Sequence, residues 1–399
     1  MRISQSVVTG IGPERSYSEV LSKWRVLLLV RSLEHGGCER DAAKIAVGLD
    51  RSRFEPHVGV FIEGGFRTPE VQAAGVPIVN LPVRSLICAS AIHGAQRLGA
   101  YVRENRIHLL HAFDVPTDLF GAPAARWYRV PVVITSQLSF RDFYPHQART
   151  LLRVTDWMSD AVVVNSRAVG HSLEQQIGFP KEKLYLSHNG VDPLHFHPGS
   201  TIRPSALKDA SLVVGSVCVM RQEKRVDWIM RSFAQARQID RGIHLLLVGS
   251  GPEIPRLMEL RDRLQLQDVC HFEPALADVL PWLQSIDIYI NSSSSESFPN
   301  ALLEAMACGC CVIGSKVGGI PELITHLDDG FLFDSDNPAQ LTEMLTLAVS
   351  DSALRERLRE RGVRTAHERF SMNLALERME ALYAKLLEQR CRQGFTSAC

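Results

Sequence analysis

The segment from Glu296 to Gly319 constrains the fold more than any other, because it places a loop, a helix, a buried strand and a second loop in succession. Pro299 fits the first position of a helix, where its missing N–H group costs nothing, and good helix formers follow it. Gly309 fits the position just after the helix, and the apolar run from Cys310 to Ile313 predicts a buried strand. A chain built around such a unit is predicted to be an α/β protein.

Two glutamates of this segment, Glu296 and Glu304, stand eight positions apart, the first in the loop and the second inside the helix. A helix N-terminus attracts phosphate through its free N–H groups and its dipole. A carboxylate just inside that helix would repel phosphate, but it can accept hydrogen bonds from sugar hydroxyls. The pattern therefore suits a ligand that carries both groups, such as a nucleotide-sugar.

Apolar runs of strand length alternate with stretches of helical pattern along both halves of the chain, starting at Val26–Val30 and again at Val213–Val219. This alternation predicts two doubly wound parallel sheets, whose ligands lie beyond the carboxyl ends of the strands. His111 stands at one such end, directly after Leu109 and Leu110. The predicted parts are a loose extension (1–23), a first domain (24–192), a linker (193–208), a second domain (209–372) and a terminal helix (373–390).

Composition narrows the partners and the compartment. Lys plus Arg and Asp plus Glu balance at 44 each, so no global charge indicates a nucleic-acid partner. Nine scattered cysteines do not indicate a disulfide framework, which favours the reducing cytoplasm. The apolar runs are too short to cross a membrane, whereas peripheral contact with the inner face of a membrane is left open.

The Glu296–Gly319 segment resembles the signature of the retaining family 4 glycosyltransferases, in which a Glu-x7-Glu pattern is followed by Glu-Ala-Met-Ala-x-Gly and Gly-Gly-x-Pro-Glu. The run Gly36-Gly37-Cys-Glu-Arg40 resembles the N-terminal loop of that family, and Asn189–Asp192 resembles its segment before the interdomain linker. The resemblance covers about residues 25–388. It implies the GT-B fold, in which two Rossmann-like domains face a central cleft, the first binding acceptor and the second binding donor.

The same resemblance implies roles for individual residues. Glu304 would bind the ribose hydroxyls of the donor, and Glu296 would face the donor sugar. Other residues would approach the donor through the backbone, with a plain turn as the alternative for each glycine pair. They are Gly36 and Gly37 near the phosphates, Ser297, Phe298, Pro299 (which has no N–H to donate) and Asn300 lining the phosphate pocket, and Gly249 and Gly251 near the base.

Glycosyl transfer from such a donor expels a diphosphate, so the site needs fixed positive charge near the leaving oxygens. Lys224 matches the lysine of the family's Arg-x4-Lys element and is the predicted main cation. The arginine position of that element is Val219 in this chain, and Arg221 is assigned as its replacement by proximity. A solvated basic loop is the alternative for both.

His111 is predicted to orient the acceptor or to support charge, with a satisfied buried histidine as the alternative. A second histidine position of the family is Phe113 here. The pattern requires no metal and no cofactor. The three cysteines that surround the helix end are too close together for zinc geometry and are predicted to be packed core thiols: Cys308, Cys310 and Cys311.

These features predict a retaining glycosyltransferase that moves a hexose-type sugar from a nucleotide-sugar to a polysaccharide or lipid-linked glycan. Two different functions stay open beside it. One is that of a catalytically degenerate relative that binds nucleotide-sugar or glycan without turnover, which the departures at Val219 and Phe113 allow. The other is that of a GT-B-like epimerase or inverting transferase, which the Gly-Gly-x-Glu-Arg loop and the paired glutamates disfavour.

Overall fold

The structure is a computed structural model that describes residues 23–34, 36–199, 203–274 and 278–393. The predicted N-terminal extension lies outside the described residues except for residue 23, and so do residues 200–202 of the predicted linker. In the part of the chain described, no helix is long and apolar enough to cross a membrane.

The first lobe is built on a parallel sheet of seven strands. The strands are β1 (Trp24–Val30), β2 (Phe54–Val60), β3 (Ile78–Asn80), β4 (Leu109–Ala112), β5 (Val132–Gln137), β6 (Ala161–Val164) and β7 (Leu184–Leu186). Their order across the sheet is β3-β2-β1-β4-β5-β6-β7. The helices are α1 (Gly37–Gly48), α2 (Thr68–Ala73), α3 (Ala89–Glu104), α4 (Val115–Trp127), α5 (His146–Met158) and α6 (Arg167–Ile177), with 3-10 turns at Arg141–Phe143 and Lys181–Lys183.

The second lobe is built on a parallel sheet of six strands. They are β8 (Val213–Val217), β9 (His244–Val248), β10 (Cys270–Glu273), β11 (Ile288–Asn291), β12 (Cys311–Ser315) and β13 (Phe331–Phe333), in the order β10-β9-β8-β11-β12-β13. The helices are α7 (Val226–Ala236), α8 (Ile254–Arg263), α9 (Leu280–Leu283), α10 (Asn300–Ala307), α11 (Ile320–Leu323), α12 (Pro338–Ser350) and α13 (Ser352–Arg369), with 3-10 turns at Ser205–Leu207 and Gln222–Lys224.

The fold class predicted from the sequence is confirmed, because both sheets are parallel and doubly wound. Each sheet reverses its winding direction once, between β1 and β4 in the first lobe and between β8 and β11 in the second. Ligands bind at such switch points in open α/β sheets. The last helix, α14 (Met372–Arg392), packs Met379, Leu382 and Tyr383 into the core that contains Val26 and Leu28 of the first lobe.

The boundaries of the Glu296–Gly319 segment differ slightly from the prediction. Pro299 precedes α10 rather than opening it, because its backbone is extended, with φ −83° and ψ 102°. Cys310 lies before the strand, which begins at Cys311. Gly309 follows the helix with φ +82°, a left-handed conformation that glycine adopts without strain and that confirms the predicted helix end.

The strand predicted to run to Val219 is also shorter, since β8 ends at Val217. Beyond it the chain turns to lie against Gly249 and Gly251. A β-carbon on Gly249 would come 1.9 Å from the Cys218 carbonyl oxygen, and one on Gly251 would come 2.3 Å from that of Met220. The absence of side chains at Gly249 and Gly251 therefore allows the loop that leads to Lys224 to pack closely against them.

Candidate active site

Lys224 and Glu296 form an ion pair at the carboxyl end of the second sheet. The Lys224 Nζ atom lies 2.5 Å from Glu296 Oε2, and the two side chains are 21% and 15% exposed. Ser293 Oγ donates a further hydrogen bond of 3.2 Å to the same carboxylate oxygen. Ser292 Oγ donates to the Lys224 carbonyl at 2.8 Å, so the loop after β11 fixes the loop after β8. The predicted cation and the predicted sugar-facing carboxylate are thus brought together.

Gly318 and Gly319 allow the loop at Glu296 to take this position. A β-carbon on Gly318 would lie 1.5 Å from the Glu296 carbonyl oxygen, and one on Gly319 would lie 2.2 Å from that of Ser297. Gly318 also has φ +51°. Only glycine fits where two stretches of backbone approach this closely, so the Gly-Gly pair allows the loop of Glu296 to lie against it.

The N-terminus of α10 faces the first lobe. Pro299 is its N-cap and no side chain caps the helix, so its first N–H groups and its dipole are available to an anion. Asn300 Oδ1 accepts a hydrogen bond of 3.0 Å from Asn189 Nδ2 of the first lobe. Ser297 Oγ lies 3.5 Å from Asn165 Nδ2. Phe298 is only 3% exposed, so its side chain belongs to the core and only its backbone could serve a ligand.

Glu304 lies inside α10, is 4% exposed, and pairs with Arg40 of α1 across the cleft. Arg40 follows the predicted Gly36–Gly37 turn, and Gly36 caps the start of α1 with extended backbone. The structure therefore brings the N-terminal glycine loop and the second predicted carboxylate to one place. Arg40 was missed as a site residue, although the Gly-Gly-x-Glu-Arg pattern contains it.

A second bridge between the lobes involves Glu322, the last residue of the Gly-Gly-x-Pro-Glu pattern. Its Oε2 atom lies 2.8 Å from His188 Nε2, and its Oε1 atom accepts a hydrogen bond of 3.1 Å from the Ala168 amide. Burial alone would raise the pKa of Glu322, but these hydrogen bonds outweigh it and hold the pKa below its ordinary value. Glu322 is thus a charged tie between the lobes, which the sequence did not single out.

The Arg221 side chain does not contact the Lys224–Glu296 pair. Its side chain is 60% exposed, and its nearest acidic partner is Glu223 at 3.9 Å. Val219, at the family's arginine position, is 50% exposed. The assignment of Arg221 to the leaving group stays a prediction that requires its side chain to turn towards bound donor.

His111 is buried in the first lobe. It is 0% exposed, and its ring nitrogens each lie 2.7 Å from a hydroxyl, Nδ1 from Tyr383 Oη and Nε2 from Ser136 Oγ. Burial lowers its pKa to about 3, so the ring is neutral at physiological pH. In this conformation both ring nitrogens already have hydrogen-bond partners, so neither is free to bind an acceptor. That His111 orients the acceptor or supports charge stays a prediction.

The pKa of His111 predicts how stability depends on pH. Unfolding returns the pKa from about 3 to its ordinary value of 6.5, so between these values the unfolded chain binds the extra proton. The free energy of unfolding should therefore fall as pH drops from 6.5 towards 3, by up to about 1.4 kcal/mol per pH unit from this group. Urea unfolding at several pH values should show a shallower acid slope in His111→Asn. The exposed His93→Asn variant is the control, and equal slopes in all three proteins would contradict the assignment.

A cavity of about 40 Å³ lies between α1, the first sheet and α14. Asp41 and Lys44 line it, together with Phe113 and Ser136. Burial raises the pKa of Asp41 and lowers that of Lys44, whose Nζ atom lies 3.4 Å from the Gly190 carbonyl oxygen. A second, open cavity of about 420 Å³ is lined by Gln222, Glu223, Arg225 and Ser294, beside the loop of Lys224.

The cysteines around the end of α10 lie in the core. Cys308, Cys310 and Cys311 are buried free thiols, as predicted. Within residues 23–34, 36–199, 203–274 and 278–393, no three His, Cys, Asp or Glu side chains are grouped as a metal site.

Two family models match this chain, one in each lobe. The family model described as Glycosyltransferase Family 4 matches residues 35–194, and the model described as Glycosyl transferases group 1 matches residues 210–351. The chain is 29% identical over 244 residues to N-acetyl-alpha-D-glucosaminyl L-malate synthase of Bacillus anthracis, covering 59% of this chain. That match spans 62% of the synthase, which is less than two thirds of its length.

Two further comparisons cover more of the chain. D-inositol 3-phosphate glycosyltransferase of Thermobifida fusca is 24% identical over 325 residues, covering 75% of this chain and 74% of the relative. The solved structure of Anabaena Alr3699/HepE in complex with UDP and glucose superposes with a TM-score of 0.79 at 20% identity. It covers 91% of this chain and all of its own, which shows a shared fold.

Proposed function

We propose, given that this chain belongs to the family 4 glycosyltransferases, that it transfers a sugar with retained anomeric configuration from a nucleotide-sugar to a hydroxyl of a polysaccharide or lipid-linked glycan. The observation that carries the proposal is the Lys224–Glu296 pair beside the uncapped N-terminus of α10, facing the first lobe. A fixed cation, a helix N-terminus and a carboxylate are the groups that expulsion of a diphosphate from a sugar requires.

In the proposed reaction the bond between the sugar's anomeric carbon and the donor phosphate oxygen breaks, and the acceptor oxygen bonds to that carbon. The acceptor proton passes to the departing phosphate oxygen on the same face. Lys224 and the N–H groups of α10 stabilise the negative charge that grows on the diphosphate. Glu296 orients the donor sugar. When the Glu296 carboxylate binds the donor sugar, it would give up its ion pair with Lys224.

Glu304 is proposed to bind the ribose hydroxyls of the donor. Its carboxylate is held by Arg40 in the present conformation, so the nucleoside would share or replace that partner. A uridine diphosphate sugar is the proposed donor, because HepE, which shares the fold, has been solved with UDP and glucose. A cytoplasmic location is also proposed, on the ground that the scattered spacing of the cysteines does not indicate a disulfide framework.

We propose that transfer needs no metal ion, because Lys224 and the α10 dipole can neutralise the leaving diphosphate. Adding EDTA should therefore change the initial rate of transfer by less than about twofold. The rate is measured as release of nucleoside diphosphate, after dialysis and with no divalent cation added. A loss that Mg²⁺ or Mn²⁺ restores would contradict this proposal.

A degenerate binding protein is the second candidate, and the exposed Arg221 side chain beside Val219 favours it over an epimerase or an inverting transferase. Product analysis separates these functions. Purified protein is incubated with a panel of nucleotide-sugars and glycan acceptors, and the anomeric configuration of any product is determined by proton NMR. Retained configuration supports the proposal, and inverted configuration supports an inverting transferase. Donor binding without product supports the degenerate binding protein.

A further inference from the structure

Five exposed apolar side chains lie along and beside α5 on the first lobe. They are Trp127 (81% exposed), Phe143 (61%), Leu151 (54%), Val154 (49%) and Trp157 (80%), and we call them the α5 stripe. Single exposed apolar residues are ordinary, whereas a group with two largely exposed tryptophans indicates a binding surface. We propose that the α5 stripe docks the protein on an anionic lipid bilayer.

Three members of the stripe lie on one face of α5, whose other face is held in the core. Leu151, Val154 and Trp157 are spaced by three residues, which puts them on one side of α5. The opposite side buries Leu152, Thr155 and Asp156. Asp156 accepts two hydrogen bonds of 2.7 Å from Arg141, which fastens α5 to the loop after β5. The apolar face of α5 is thus already formed in the free protein.

Trp127 joins the stripe through its neighbour Arg126. The Arg126 Nε atom donates a hydrogen bond of 2.6 Å to the Met158 carbonyl oxygen, and its Nη2 atom lies 2.8 Å from Asp160. These contacts bring the last turns of α4 and α5 together, so Trp127 and Trp157 stand at the same end of the two helices. Tryptophan favours the boundary between lipid tails and water, because its ring is apolar and its N–H group is polar.

The charge around the stripe selects an anionic surface as the partner. Between Trp127 and Trp157 the sequence has four arginines and only two acidic residues, Asp142 and Asp156. Both acids are already paired, Asp142 with Arg149 at 3.5 Å and Asp156 with Arg141. Arg129 and Arg153 are exposed and make no ion pair with any residue in the described ranges. Their stems can lie on the apolar face while their guanidinium groups meet lipid phosphates.

The loop that leads into α5 lies against the second lobe. The loop that carries Phe143 also carries Phe140, whose Cε2 atom would lie 3.4 Å from a β-carbon on Gly318 of the second lobe. A bilayer docked on the stripe would therefore contact a loop that borders the second lobe. This inference goes beyond the proposed function, since docking is measured without donor and can fail while transfer is retained.

The test is co-sedimentation of the full chain with vesicles of phosphatidylcholine alone or of phosphatidylcholine with phosphatidylglycerol. We expect binding to the anionic vesicles and a blue shift of tryptophan fluorescence. Trp127→Gln/Trp157→Gln should weaken binding by at least about tenfold and remove the shift. Arg129→Glu/Arg153→Glu should abolish the preference for anionic vesicles. Ile239→Gln/Arg357→Glu, which changes an exposed apolar and a basic residue of the second lobe, should bind like the wild type.

Three outcomes would overturn the proposal. The first is a wild-type protein that binds neither kind of vesicle, and the second is a stripe variant that binds as well as the control variant. The third is a wild-type dimer in analytical ultracentrifugation without vesicles that becomes monomeric in the stripe variant, which would make the stripe an interface between two copies. Circular dichroism of each variant verifies folding, and the substituted side chains are exposed, so the fold should be kept.

Discussion

Replacing Lys224 by alanine is expected to lower kcat/KM for the nucleotide-sugar by about 10²- to 10³-fold. The Lys224 ammonium group, 2.5 Å from Glu296, is the one cation that the structure fixes beside the N-terminus of α10 among the predicted site residues. Its positive charge should matter most when the diphosphate leaves, so kcat should fall more than donor affinity. Steady-state release of nucleoside diphosphate at several donor concentrations separates the two effects.

Two further variants sharpen this prediction. Lys224→Arg keeps the charge and should recover part of the rate, which would not happen if the loss came from a disturbed loop. Lys208→Ala removes an exposed lysine of the predicted linker and should leave the rate unchanged. A Lys224→Ala enzyme with normal kcat would contradict the assigned role.

Replacing Arg40 by alanine is expected to destabilise the protein by about 3 kcal/mol. The substitution removes the ion-pair partner of Glu304, a residue that is only 4% exposed. We take the lower end of the stability loss that is typical when one partner of a buried ion pair is removed, because the Arg40 side chain is itself 18% exposed. The free energy of unfolding in urea, followed by circular dichroism, measures the loss.

The double variant Arg40→Ala/Glu304→Gln tests the cause. Neutralising Glu304 should restore much of the stability lost in Arg40→Ala, because the unpaired buried charge is then gone. Arg97→Ala, an exposed arginine on α3, should lose little. Equal losses in the single and double variants would mean that Arg40 acts through packing instead of through its pair with Glu304.

Bound nucleotide should change this balance. If Glu304 binds the ribose, the Glu304→Gln protein should bind donor more weakly even when it is correctly folded. Bound ribose would also give Glu304 a partner in Arg40→Ala, so saturating donor should reduce the difference in the free energy of unfolding between wild type and Arg40→Ala.

The sequence was sufficient to predict the fold class and the local order of the Glu296–Gly319 segment, because alternation, proline and glycine act over a few residues. It placed Glu304 in a helix and Glu296 in a loop, as observed. The contacts between the lobes could not be predicted in this way. Arg40 and Glu304 are 264 residues apart, and no periodicity relates two helices that belong to separate lobes.

Two details show where local patterns lose information. Pro299 satisfies the rule for a first helical residue, yet its ψ of 102° places it one residue before the helix. His111 stands at a strand end where ligands are expected, yet α14 covers it through Tyr383, a residue 272 positions later. Exposure of the α5 stripe likewise depends on which faces the rest of the fold covers.

The most direct test of the central claim is release of nucleoside diphosphate by the wild-type protein from a panel of nucleotide-sugars, with and without glycan acceptors. We predict release that acceptor stimulates and that both Lys224→Ala and Glu304→Ala strongly reduce, by about 10²-fold or more for Lys224→Ala. A folded wild-type protein that binds a nucleotide-sugar in calorimetry but releases no diphosphate with any acceptor would contradict the claim that this cleft performs glycosyl transfer.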